Sequence, residues 1–198
     1  MFTLLPHSLP RGLTEPLGKA LARTGVTPNM ITTAGLAGAI AAAVLVARGN
    51  YLAGGIVMLA AAALDLFDGM VARASGQVTA FGGVFDSVCD RLSEAAILGG
   101  LLFHLTSQGK QEESVLAFAA VVGSLLVSYL RARAEAAGLQ LKEGLFTRPE
   151  RVLVLAAGLM FGQVRIALWI LAVLANLTAL QRLWMVRRKF AERERGEG

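Results

Sequence analysis

Residues 58–92 read MLAAAALDLFDGMVARASGQVTAFGGVFDSVCDRL, and they hold every aspartate in the 198-residue chain: Asp65, Asp68, Asp86 and Asp90. Strongly apolar sequence brackets the window on both sides. Charged groups placed within apolar spans are costly and are retained for function. Their spacing adds geometry. Asp65 and Asp68 are three apart, and Asp86 and Asp90 are four apart, so each pair lies on one face of a helix. Ser75–Gly76–Gln77 reads as a short turn between the two helices, which makes them antiparallel neighbours whose acidic faces can converge.

Four facing carboxylates repel unless cations stand between them. Arg73 and Arg91 could serve as helix-end partners, but two guanidiniums do not neutralise four carboxylates. Hard oxygen donors suit Mg²⁺, Mn²⁺ or Ca²⁺. Four of them can bridge two ions, an arrangement that clamps both sides of an in-line phosphoryl displacement. Gly69 and Gly82 flank the carboxylates and would admit a ligand or a second backbone at close range; packing through small residues would explain them equally.

Outward from this window the chain is as apolar as a membrane protein. Hydrophobic residues make up 55%, charged residues only 17%, and the mean hydropathy is +0.59. A soluble domain carries about 25% charged residues. The apolar runs predict six membrane-spanning helices, at residues 30–47, 51–74, 81–105, 115–136, 152–162 and 166–180. Each crossing needs about 20 residues, so the fifth run crosses only if extended or if the bilayer thins. The expected fold is therefore all-α and integral to the membrane. A short interfacial helix over residues 9–24 precedes the spans, with Leu13, Leu17 and Leu21 along one side. The division expected is an N-terminal segment at 1–28, a six-helix domain at 29–187 and a charged cytoplasmic tail at 188–198. No cleavable signal peptide is expected in residues 1–28, and Cys89 alone excludes an intrachain disulfide.

Lysine and arginine placement sets the orientation. With six spans, one side collects Arg11, Lys19, Arg23, Arg73, Arg131, Arg133, Lys142, Arg148, Arg151, Arg187, Arg188 and Lys189. The other receives Arg48, Lys110 and Arg165. Both termini and the aspartates are thus expected on the cytoplasmic side of the cell membrane. The net charge of +5 points to anionic lipid and anionic substrates. No basic stripe interleaved with aromatic residues suggests nucleic acid.

The aspartate window matches a long signature, D-x-x-D-G-x-x-A-R, eight residues, then G-x-x-x-D-x-x-x-D, filled here by Asp65, Asp68, Gly69, Ala72, Arg73, Gly82, Asp86 and Asp90. In this the chain resembles the CDP-alcohol phosphotransferase family. The resemblance implies displacement of CMP from a CDP-linked lipid by an alcohol. It implies two divalent ions, Mg²⁺ with Mn²⁺ as the alternative. Asp65, Asp68 and Asp86 would hold one ion, and Asp65, Asp86 and Asp90 the other. Asp90 would also be the catalytic base. Arg73, Gly69 and Thr79 would face the nucleotide, as would Asn29, Met30, Ile31 and Thr32 at the opening of the first span.

A second basic cluster follows, in SYLRARAEAAG from Ser128 and RPER from Arg148, with Gln181–Arg182 later. Several guanidiniums near the metals suit an acceptor that carries its own phosphate, while positive-inside anchoring alone would account for many of them. The strings resemble the phosphatidylinositol-phosphate synthase branch of the family. By that resemblance Arg131, Arg151 and Arg182 bind the acceptor phosphate, with Arg148 beside them, although the first position is often lysine there. Glu135 and Glu150 are expected to hold arginines in place. The reading is transfer of a phosphatidyl group from CDP-diacylglycerol to inositol phosphate. Rivals are glycerol 3-phosphate as acceptor, a CDP-archaeol donor, a carboxylate-relay ion or proton transporter, and an intramembrane prenyltransferase. The small-residue stretch at Gly35 and Gly38 suggests close helix packing and a homodimer.

Overall fold

A computed structural model describes residues 20, 25–141 and 144–195. Six helices run in chain order: α1 Pro28–Ala47, α2 Tyr51–Ser75, α3 Ala80–Ser107, α4 Gln111–Ala136, α5 Arg148–Met160 and α6 Val164–Glu194. No strand occurs among the described residues. The helix count and boundaries follow the apolar runs closely. The interfacial helix expected over residues 9–24 lies, but for residue 20, outside the described residues, as do Arg11, Lys19, Arg23 and Lys142.

Four helices, α1, α2, α4 and α6, are long and apolar enough to cross a membrane by length and composition. The other two fall short of that measure for different reasons. Helix α3 has 28 residues but carries Asp86, Asp90, Arg91 and Glu94 along its first half. Helix α5 has only 13 residues, about 20 Å at 1.5 Å per residue.

The packing order explains how the ends of α2, α3 and α5 come together. Helix α1 packs on α2 and α3, α4 on α6 and α3, and α5 between α2 and α6. Where hydrocarbon surrounds a bundle, association depends on close packing rather than on hiding apolar surface, and small residues permit it. Ala39, Ala42 and Ala43 of α1 are buried in one apolar cluster with Leu98 and Leu101 of α3. A methyl group on Gly38 would stand 3.0 Å from the Ala61 side chain, and one on Gly35 would stand 2.9 Å from the Asp65 carboxylate. The Gly35–Gly38 face therefore packs closely on α2 within the chain.

Polar contacts join helices where apolar packing gives no register. The Asn176 amide donates to the Ala119 carbonyl across α6 and α4 at 2.9 Å. At the end away from the aspartates, Arg165 donates to Glu112 at 2.7 Å and the Trp169 indole N–H donates to the same carboxylate at 3.0 Å. The outward faces are apolar: Ile40, Ile56, Phe103, Phe118, Ile166 and Leu180 are all exposed. Such a surface suits lipid and would be a liability in water.

Candidate active site

Two local signals bring the acidic pairs together. Helix α2 ends at Gly76, whose φ of +68° is the left-handed conformation that closes a helix and that glycine adopts without strain. Three residues later the Thr79 hydroxyl caps α3, accepting from the Gly82 amide at 3.0 Å. The chain therefore reverses within four residues, and Asp65 and Asp68 on α2 lie within electrostatic range of Asp86 on α3, as Asp65 does of Asp90.

The carboxylates are held by different groups. Asp68 is buried and accepts from the Thr32 hydroxyl of α1 at 2.7 Å. Arg148, the first residue of α5, reaches both helices at once: one amino group lies 2.6 Å from Asp65 Oδ2 and the other 2.8 Å from Asp90 Oδ1. Its Nε is buried and makes no hydrogen bond among the described residues. Arg91 stands 4.0 Å from Asp90 and turns its guanidinium back to the Ser87 carbonyl. Among the described residues no cation lies within ion-pair distance of Asp68 or Asp86.

This donor set fits a hard divalent ion in kind. It supplies carboxylate oxygens only, and their mutual repulsion is met by one bridging guanidinium. As placed, no three metal-ligating groups among the described residues surround a single point. The oxygens that Arg148 binds on Asp65 and Asp90 belong to that donor set.

The expected nucleotide-facing residues gather at the same end. Arg73 is exposed and its guanidinium passes over Gly69, where an added methyl would meet it at 3.4 Å. Gly82 lies between Thr79 and Asn29, which bring the openings of α3 and α1 together. Asn29, Met30 and Thr79 are exposed, whereas Ile31 and Thr32 are buried. Thr32 thus points at Asp68 and also donates to the Pro28 carbonyl at 3.1 Å.

The basic cluster separates into two parts. Arg148 belongs with the aspartates. Arg151, one turn on, is 2% exposed and grips Glu94 with both Nε (2.7 Å) and a terminal amino group (2.8 Å). Arg182 of α6 donates to the Val127 carbonyl at 2.6 Å and lies within the electrostatic reach of both Arg131 and Arg151. Arg131 is exposed and pairs with Glu135 at 2.9 Å. Arg182 of α6 therefore lies within electrostatic range of arginines on α4 and α5, and Arg148 links the α5 arginines to the aspartates.

Glu135 holds an arginine as expected, but Glu150 does not. Its carboxylate accepts from the Thr147 amide at 2.9 Å and from the Thr147 hydroxyl, forming a capping box. The capping contact fixes the start of α5, from which Arg148 and Arg151 reach in two directions. Sequence reasoning missed Glu94. Its signal was the spacing Asp86, Asp90, Glu94, three acidic residues at four-residue intervals on one helical face.

With this geometry in hand, the relatives are informative. The family model for CDP-alcohol phosphatidyltransferases matches residues 25–181. The chain belongs to this family. It is 37% identical over 184 residues to a phosphatidylinositol phosphate synthase of Mycobacteroides abscessus, covering 88% of this chain and 84% of the relative. It is 36% identical to an archaetidylinositol phosphate synthase of Pyrococcus horikoshii, covering 88% and 91%. A crystal structure of the Mycobacterium tuberculosis phosphatidylinositol phosphate synthase with CDP-DAG bound superposes with a TM-score of 0.82 at 33% identity, covering 88% of this chain and 94% of that one. The same enzyme in complex with manganese and citrate also gives 0.82, covering 87% and 88%. This member of the CDP-alcohol phosphatidyltransferase family is therefore a transferase of phospholipid synthesis.

Proposed function

We propose that this enzyme transfers a phosphatidyl group from CDP-diacylglycerol to inositol phosphate and releases CMP. The observation that carries the acceptor is the arginine region itself. Arg131 and Arg151, on two other helices, lie within electrostatic range of Arg182, and Arg151 stands one turn from Arg148, which binds Asp65 and Asp90. Guanidinium groups bind phosphate oxygens bidentately, which suits an acceptor that carries its own phosphate.

In this reading Asp65, Asp68, Asp86 and Asp90 hold two divalent ions, Mg²⁺ by preference, which would neutralise the diphosphate and stabilise the charge that develops on it. Arg73 and the openings of α1 and α3, with Asn29, Gly69 and Thr79, bind the CDP end. The acceptor hydroxyl attacks the phosphorus on the lipid side, and its proton passes to the Asp90 carboxylate. The bond from that phosphorus to the oxygen of the CMP phosphate breaks, and CMP leaves with the electron pair. Asp90 is a weak base, and positioning supplies much of the rate. Arg151 and Arg182 fix the acceptor phosphate so that the hydroxyl lies beside Asp90.

All six helices would cross the membrane, with the aspartates at its cytoplasmic side, so that CDP-diacylglycerol enters laterally from that leaflet. A homodimer would pair through outward apolar faces.

The deciding experiment uses purified enzyme, CDP-diacylglycerol and one acceptor at a time, reading CMP. Release with inositol phosphate is expected. Release with glycerol 3-phosphate alone would overturn the acceptor assignment. Running the same panel with CDP-archaeol separates the donors, a choice raised by the archaetidyl relative at 36% identity.

A further inference from the structure

Glu94 is a buried carboxylate to which the reaction above gives no task. It is 9% exposed and stands one helical turn beyond Asp90 on α3. Three bonds hold it: Arg151 Nε at 2.7 Å, an Arg151 amino group at 2.8 Å and the Ser124 hydroxyl of α4 at 2.8 Å. It also borders two cavities. One lies between α1, α2, α3 and α5, with Asp65, Arg148 and Arg151 in its wall; the other lies between α3 and α4.

A guanidinium offers two bidentate edges, a side edge from Nε and one amino group, and an end edge from the two amino groups. Glu94 takes the side edge of Arg151. The end edge is nearly uncommitted: its Nη1 makes only a long, 3.4 Å contact to the Phe146 carbonyl. That is the weakest bond in the network and the one an acceptor phosphate would replace. Ser124 fixes the Glu94 oxygen that receives Nε, so α4 sets the angle of an arginine on α5.

From this geometry we infer that Glu94, anchored by Ser124, is a positioning residue that presents the end edge of Arg151 to the acceptor phosphate. The inference rests on the proposal that Arg151 binds that phosphate. Because Asp90 and Glu94 are neighbours on one helical face, the arrangement also fixes the distance from the base to the phosphate-holding arginine. A purely structural ion pair between α3 and α5 would not distinguish one substrate from the other.

The test compares KM for inositol phosphate, KM for CDP-diacylglycerol, kcat and the inhibition constant for inorganic phosphate as an acceptor-site competitor. Glu94→Gln keeps the size and removes the charge. Its expected effect is a rise of about tenfold in KM for inositol phosphate and in the phosphate inhibition constant, the loss of one charge-assisted bond. The KM for CDP-diacylglycerol should stay within about threefold by the same scale. Ser124→Ala, a milder change that keeps the ion pair, should move the acceptor terms the same way by a smaller factor. It serves alone if Glu94→Gln does not fold.

Arg151→Lys tests the underlying reading, since it keeps a cation opposite Glu94 but loses the fork. If Arg151→Lys leaves the acceptor KM unchanged, the acceptor reading itself fails. If Arg151→Lys raises it while Glu94→Gln and Ser124→Ala do not, the positioning role of Glu94 fails alone. Equal changes in both substrates' KM values, or loss of thermal stability only, would also overturn it.

Discussion

In the proposed reaction Asp90 would meet two demands at the residue scale: to ligate a metal ion and to take a proton. One of its oxygens lies 2.8 Å from Arg148, which also holds Asp65, so removing the Asp90 charge leaves Arg148 with a partner. Asp90→Asn should therefore fold and lose CMP release by about 10³-fold, within the range for a general base. The check is CMP release beside thermal unfolding in detergent; a well-folded Asp90→Asn enzyme with full activity would remove Asp90 from the chemistry. Thr32 makes a subtler case. The sequence placed it with the nucleotide contacts, yet its hydroxyl donates to Asp68 at 2.7 Å. Groups that orient a ligating carboxylate typically contribute 10-fold or more to metal affinity. Thr32→Val should weaken Mn²⁺ binding about tenfold, read by direct titration without substrates. Unchanged Mn²⁺ affinity would leave Thr32 with the nucleotide alone. The aspartates were legible because charge in an apolar run is conspicuous and the spacing is helical. The task of Thr32 was not, because its partner lies 36 positions away.

Elements show the same division between local and distant information. The turn between α2 and α3 was readable from Ser75–Gly76–Gln77, since helix-closing glycines and capping threonines act within a few residues. The start of α5 was only half readable: the Thr147–Glu150 box is local, but Glu150 had been paired with arginines on charge alone. Glu94 escaped because Arg151 lies 57 positions away, and a lone glutamate on a helix ordinarily faces water. Close packing of α1 on α2 gives a test at this scale. A methyl on Gly35 would press on the Asp65 carboxylate at 2.9 Å, whereas one on Gly38 would press on the Ala61 methyl at 3.0 Å. Gly35→Ala should thus cost activity, about tenfold for a displaced ligand, and should raise the metal concentration needed. Gly38→Ala should act on thermal stability first. Equal effects from the two variants would mean that the interface responds as a unit and that Asp65 is not specifically displaced.

For the whole molecule the open matter is how many times the chain crosses the membrane, and α5 decides it. Four helices qualify by length and composition. Helix α3, with 28 residues, is about 42 Å long and exceeds a core of roughly 30 Å, although its first half is charged. Helix α5, with 13 residues, spans about 20 Å of a core of roughly 30 Å. Yet α5 packs between α2 and α6 instead of lying across the bundle end. Charge placement agrees with a crossing. Among the described residues, Arg73, Arg131, Arg133, Arg148, Arg151, Arg187, Arg188 and Lys189 fall on the aspartate side if α5 crosses, against Arg48, Lys110 and Arg165 opposite. On the proposed topology the positive-inside rule would put the aspartates on the cytoplasmic side. The buried Cys89 can be replaced by serine to give a cysteine-free background. Single cysteines at the exposed positions Gln77, Lys110 and Gln163 would report the three turns that matter. A membrane-impermeant maleimide added to intact cells should label Lys110→Cys and Gln163→Cys, and should reach Gln77→Cys only in inverted vesicles. Labelling of Gln163→Cys from the same side as Gln77→Cys would mean that α5 is re-entrant. Arg148 and Arg151 would then stand on a hairpin that dips into the membrane from the cytoplasm, and the chain would cross only four or five times.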